Sequence, residues 1–150
     1  MEIWIIGGVV VALMIYVSTK IKKESKRAYE REIFETEEFS ITKPDEFLIP
    51  VGEDSEYVFE ARSRDFGTED ARDFYQCQAT IKLKNDVETK ENSVVEIEKT
   101  ENNVPVQLFL KVLANPKTNK TYELEVSVLL EFREKYRDAI NEMLSSFAVK

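Results

Sequence analysis

The sequence predicts an α+β fold: an N-terminal transmembrane helix followed by an antiparallel sheet packed with helices, closing on a C-terminal amphipathic helix. Three observations predict it. Ile3 to Val17 (IWIIGGVVVALMIYV) carries no charge. Later segments alternate polar and apolar residues, Phe74 to Lys84 most clearly, which is the two-residue period of a strand with one buried face. Glu131 to Phe147 instead brings apolar residues round every three or four positions, the period of a helix with one buried stripe. The 150 residues suit one anchor and one domain. They divide into a transmembrane anchor over 1–20, a basic helical stalk over 21–35 and an acidic soluble α+β domain over 36–150.

Ser18 and Thr19 extend the apolar run to 17 residues, the short end of what crosses a hydrocarbon core about 30 Å thick. Lys20, Lys22 and Lys23 lengthen it by snorkelling their ammonium groups to the interface. Trp4 and Tyr16 stand near its ends, where amphipathic rings prefer to sit. A cleaved signal peptide needs a basic segment before the apolar run and a small-residue cleavage site after it. Only Met1 and Glu2 precede the run, and no such site follows. A retained anchor is therefore expected, with residues 3–19 in the lipid bilayer. Six basic residues (Lys20, Lys22, Lys23, Lys26, Arg27, Arg31) against two acids follow at once, and the positive-inside rule keeps that side in the cytoplasm. The expected location is the cell (inner) membrane, single-pass, with the N-terminus outside and the soluble domain cytoplasmic. Anionic lipid headgroups are the expected contacts of Lys20, Lys22, Lys23, Lys26 and Arg27. Gly7-Gly8 would admit a close second helix, although glycine is common in membrane helices without that role.

The net charge of −8 is unevenly spread. Residues 20–31 carry +4, while from residue 32 onward 15 basic residues meet 26 acidic ones, a balance of −11. Such a domain repels phosphate backbones, which argues against a nucleic-acid partner. Histidine is absent, and with it the commonest metal ligand and neutral-pH base. Cys77 is the single cysteine, so no disulfide forms within the chain, in keeping with a reducing compartment.

Lys20 to about Glu35 (KIKKESKRAYEREIFE) is rich in helix formers and sets Lys26 four residues from Glu30, so the membrane helix is predicted to continue through it as a stalk. Glu38 to Thr42 alternates as a strand, and Pro44 stops it. Phe47 to Val51 is a short apolar patch ended by Pro50 and Gly52. Tyr57, Phe59 and Ala61 alternate with Glu60 and Arg62 as a second strand. Asp65 to Asp70 makes a turn or a short helix. In the clearest strand Tyr75, Cys77, Ala79, Ile81 and Leu83 face one way and Gln76, Gln78, Thr80, Lys82 and Lys84 the other. Asn85-Asp86 signals a turn. Asn92 to Asn103 fits either a short strand around Val94 to Ile97 or a short helix. Val106 to Ala114 is an apolar strand, Asn115 to Asn119 a turn, and Thr121 to Leu129 its hairpin partner, with Tyr122, Leu124, Val126 and Val128 on one face. The final helix aligns Phe132, Tyr136, Ala139, Ile140, Met143, Leu144 and Phe147.

No constellation carries catalysis or metal binding, so no catalytic, cofactor or metal residue is assigned and no cofactor is expected. Asp65-Phe66-Gly67 spells the kinase metal triplet, but a kinase also needs a glycine-rich loop, a strand lysine and a catalytic loop. Glu53-Asp54-Ser55-Glu56 lacks the ligand spacing and the sixth-position glycine of a calcium loop. Asp65, Glu69, Asp70 and Asp73 read likewise as solvated acids. Cys77 lies on the apolar face with no histidine to activate it, which suits a core residue. Asn119-Lys120-Thr121 is a glycosylation sequon that a cytoplasmic domain never presents.

Tyr136, Ile140, Met143, Leu144, Ser146 and Phe147 make an end that resembles the last helix of the PsbP/Mog1-like group, which follows a final hairpin and finishes on a Ser-Phe pair. Phe39-Ser40-Ile41, then Pro44 and Phe47, are similar to that group's first strand and turn. The Gly-Trp pair often found after the opening proline there is missing here. The resemblance covers about 110 residues loosely. It implies a domain that binds partner proteins or stabilises membrane assemblies and is not an enzyme. The function expected is a membrane-tethered, non-catalytic binding or assembly/scaffold module with a protein partner. The alternative is a small accessory subunit of a larger membrane complex, and a small enzyme using carboxylates ranks third.

Overall fold

A computed structural model of the protein describes residues 2–50, 56–67, 71–72, 74–84 and 94–150. Helix α1 (Glu2–Ala28) leads into strands β1 (Glu32–Glu35), β2 (Phe39–Lys43), β3 (Phe47–Leu48), β4 (Phe59–Ser63) and β5 (Cys77–Lys84). Strands β6 (Val94–Glu101), β7 (Val104–Asn115) and β8 (Lys120–Leu129) follow, then a 3-10 turn (Leu130–Phe132), helix α2 (Arg137–Ser146) and strand β9 (Ala148–Val149). The molecule is a mixed α+β structure with an N-terminal apolar helix. Its strands form two antiparallel sheets, one ordered β1-β2-β9 and one β3-β4-β5-β8-β7-β6.

The alternating sequences place the core. Cys77, Ala79 and Ile81 of β5 and Tyr122, Leu124, Val126 and Val128 of β8 are buried on one face of the large sheet. Phe39 and Ile41 of β2 and Ile140, Met143 and Leu144 of α2 close over that face in a single cluster. On the opposite face a second, smaller cluster forms among the described residues. There Ala71, Val104, Val106, Leu108 and Leu129 pack with Phe74 and Phe132.

Three elements depart from the sequence reading. The helix expected to run to about Glu35 stops at Ala28, and residues 32–35, N-terminal to the expected domain start, are strand β1 paired with β2. Helix propensity loses there to pairing, because Phe34 packs 5.0 Å from Phe59 and 6.0 Å from Phe39. The final helix is shorter than the expected Glu131–Phe147, and the chain closes on strand β9 rather than on a helix. Lys111 explains the stop: its ammonium donates to the carbonyls of Leu144 (2.5 Å) and Phe147 (3.3 Å), occupying acceptors that a helix end leaves open. Released from the helix, Ala148 and Val149 pair with Ser40 and Phe39.

The ambiguous segment before Asn103 is a strand. Glu101 pairs with Val104, so Asn102 and Asn103 form a two-residue loop, with φ of 48° and 66°. Positive φ at both loop positions matches the twist of a hairpin, and asparagine tolerates it. Thr121 to Leu129 does pair with the preceding apolar strand, from Val106↔Leu129 to Ala114↔Thr121. The turn at Asn85-Asp86 lies outside the described residues.

Candidate functional site at the junction of helix and domain

Among the described residues, helix α1 is not buried against any other part of the protein along its apolar length. Ile3, Trp4, Met14 and Tyr16 are each more than 60% exposed, and a Cβ added at Gly7 or Gly8 would touch nothing. The stretch Ile3–Ala28 is long and apolar enough to cross a membrane, and none of its most hydrophobic part is buried in the fold. Lys26 and Arg27 occupy its last turn, where cations suit the negative end of the helix dipole.

The junction is built around a buried lysine. β2 alternates Phe39, Ile41 and Lys43 on its inner side, and all three are buried. The Lys43 ammonium donates to the carbonyls of Ala28 (3.1 Å) and Phe47 (2.7 Å) and also to that of Glu30. One cation thus ties the end of α1, the turn after it and β3 together. Burial lowers the Lys43 pKa, and the nearby carboxylates of Glu32, Asp45 and Glu30 act to raise it again. Around it Arg31 N–H donates to Asp45 Oδ1 at 2.8 Å, and Arg31 pairs with Glu142 of α2 at 2.5 Å.

Glu46 completes the junction in a left-handed conformation, φ 66°, which disfavours a side chain. Its backbone explains the conformation: Glu46 N–H donates to the Tyr29 carbonyl at 2.7 Å, and its own carbonyl accepts from Arg64 N–H at 3.1 Å. The Arg64 guanidinium lies 5.5 Å from the Tyr29 ring centroid. Beside these groups a cleft of about 580 Å³ is lined by Lys22, Lys26, Tyr29, Glu30, Asp45, Glu46 and Arg64. The cleft carries both signs of charge, and within it Arg64 pairs with Glu46 at 3.7 Å.

The other polar clusters are structural. Gln76 Oε1 accepts from Tyr136 OH at 2.7 Å and Lys135 Nζ at 2.9 Å, and Gln76 Nε2 donates to the Phe66 carbonyl at 2.9 Å. Glu38 joins β8 by accepting from Lys120 at 2.9 Å and from the buried Tyr122 hydroxyl. Among the described residues no three or more His, Cys, Asp or Glu side chains gather as a metal would require.

The motifs weighed in the sequence take ordinary places. Gly67 of the Asp65-Phe66-Gly67 triplet is a packing glycine, since a Cβ there would lie 2.6 Å from the Ala71 carbonyl oxygen and 2.7 Å from Leu129. Glu53, Asp54, Ser55, Glu69, Asp70 and Asp73 lie outside the described residues. Asn119 is exposed in the β7–β8 turn with φ 61°. Cys77 is wholly buried, and burial pushes its thiol pKa far up. A thiol-reactive dye should therefore leave folded Cys77 untouched and label it only as fast as the domain unfolds. Labelling within seconds under native conditions would place Cys77 at the surface.

Lys43 is the residue that sequence reasoning missed. Its signal was the register of β2, which sets it on the same side as Phe39 and Ile41.

No known protein family matches the chain by sequence, and no curated protein matches it. The solution structure of cyanobacterial PsbP (CyanoP) from Synechocystis superimposes with a TM-score of 0.47 and 8% sequence identity, over 81% of this chain and 94% of that one.

Proposed function

We propose that the protein is a membrane-tethered, non-catalytic binding or scaffold module. In this reading α1 spans the cell (inner) membrane and the domain stays cytoplasmic. The observation that carries it is the complete exposure of the apolar helix beside a domain that closes its own core. A helix belonging to a soluble core would be buried, and leaving so many large apolar side chains in water is strongly unfavourable. The basic residues from Lys20 to Arg31 favour the cytoplasmic side. Lys43 and its partners hold the helix end against the domain, so the domain is presented at a set attitude to the lipid surface. Lys22 and Lys26, with Lys20, Lys23 and Arg27, lie where anionic headgroups would sit.

The test has two parts. The chain should stay with membranes through an alkaline carbonate wash, with an intact mass that includes residues 1–23. A fluorescent protein fused after Lys150 should glow, and a phosphatase active only outside should stay silent. Release by carbonate or a mass lacking the apolar segment would remove the anchor, and strong phosphatase activity would put the domain outside.

A second reading, a permanent accessory subunit of a membrane complex, is favoured by exposed Val95 and Ile97 on the large sheet. Purification from native membranes separates the two, because a subunit arrives in fixed stoichiometry with its complex.

A further inference from the structure

The two edges of the large sheet differ. At one end β3 has only two residues, and Phe47 within it is buried. At the other end β6 runs for eight residues and pairs with β7 without a break, from Val94↔Lys111 to Glu101↔Val104. Among the described residues no strand pairs with the outer side of β6. An open edge presents unpaired N–H and C=O groups, and proteins blunt such edges with proline, bulges, short strands or free lysines. β6 contains no proline and no bulge, and its one lysine, Lys99, is engaged by Glu101 at 2.6 Å.

Over residues 95–98 its two faces are chemically distinct. Val95 and Ile97 share one face and are 49% and 40% exposed. Their partners across the ladder are Leu110 and Leu108, so the apolar stripe continues into the sheet. Glu96 and Glu98 share the other face, two residues apart, and neither has an ion-pair partner among the described residues. Opposite Glu98 on β7 lies Gln107, which is buried. Its amide N–H donates to Glu96 at 3.4 Å, while its side-chain oxygen has no donor among the described residues.

We propose that β6 is a docking edge for an extended segment of a partner protein, apolar on one face and basic on the other, which adds as a seventh strand. This rests on the reading of the domain as a binding module. Backbone hydrogen bonds along β6 supply the attachment, and alternate side chains supply the choice of partner. Valine or leucine on the incoming strand covers Val95 and Ile97, and lysine or arginine meets Glu96 and Glu98. The charges disfavour a second copy of this chain as the occupant. Two-fold antiparallel pairings centred on residues 96, 97 or 98 set carboxylate against carboxylate, which destabilises a ladder.

The probe is an end-blocked peptide of about ten residues alternating lysine and valine, with a glutamate–valine peptide as control. Binding to the full chain in detergent is read by fluorescence anisotropy, and the site by amide exchange. The lysine peptide should bind, protect the β6 amides and spare the rest. The double variant E96K/E98K should stay folded, bind that peptide about tenfold more weakly and gain affinity for the glutamate peptide. Failure of the lysine peptide to bind would overturn the proposal. So would equal binding by E96K/E98K, protection away from β6, β6 amides already protected in the free chain, or dimerisation through this edge. All these outcomes are independent of membrane topology, so a failed anchor and a failed docking edge give different results.

Discussion

Replacing Phe147 with alanine should lower the stability of the domain by about 3–5 kcal/mol. Phe147 caps the C-terminus of α2, is 2% exposed, and sits in the main core with its ring edge-on to Phe39 at 6.3 Å. The backbone turns extended at this residue and leads straight into β9. The truncation therefore opens a cavity at the seam between the large sheet, β2 and α2, where neighbours on three elements are held by their own hydrogen bonds and collapse little. A domain's net stability is roughly 5–15 kcal/mol, so the loss is a large share of it. The readout is the urea midpoint of the full chain in detergent, followed by the circular dichroism of the sheet. An unchanged midpoint would make the C-terminal segment peripheral and the described core wrong.

Lys43→Met should cost about 2–4 kcal/mol and loosen α1 from the domain. Methionine fills much of the same volume but donates nothing, so the carbonyls of Ala28, Glu30 and Phe47 lose a shared donor. A buried polar group left unpaired costs about 1–3 kcal/mol. Relief from burying a charge offsets part of the sum. Limited proteolysis reads the second effect directly: cleavage after Lys26, Arg27 or Arg31 should speed up in the variant. Equal stability and equal protease resistance would show that Lys43 does not hold the junction.

The same residue leaves a mark on the pH profile. Burial lowers the Lys43 pKa from its ordinary 10.5, so between the folded value and 10.5 the unfolded chain binds this proton more tightly. Through that window Lys43 by itself makes stability rise with pH. Cys77 acts in the opposite sense. Its raised pKa means that above about pH 9.0 the unfolded thiol ionises while the folded one does not, so its contribution falls as pH rises. Lys43→Met should therefore steepen the loss of stability on the alkaline side, and Cys77→Ala should flatten it. A profile unmoved by either substitution would contradict the burial of both groups.

What was readable in advance was whatever is carried within one segment. The charge-free run of Ile3 to Val17 reads as a helix, and the faces of β5 and β8 follow from a period that neighbouring residues impose on one another. The hairpin of β7 and β8 was readable because Asn115 to Asn119 is a local turn signal. The Asn102-Asn103 loop is equally local, and recognising it would have resolved β6 as a strand. Asp65-Phe66-Gly67 shows the reverse case, a motif whose spelling suggested chemistry and whose glycine serves packing.

Tertiary contacts decided the rest. Glu32 to Glu35 has the composition of a helix and becomes β1 because β2 offers it a ladder and the core offers Phe34 a place. Lys111, more than thirty residues upstream, decides where α2 stops, and β2 recruits the last residues as a strand. Lys43 is a lysine like twenty other basic residues until Ala28, Glu30 and Phe47 aim their carbonyls at it. By itself the sequence determined which segments alternate, which face of each is apolar and where charge is absent, because those are properties of neighbours along the chain. Which strand each segment pairs with, where each helix ends and which polar residue is buried were decided only by the tertiary structure, because the groups that satisfy them lie far away in sequence.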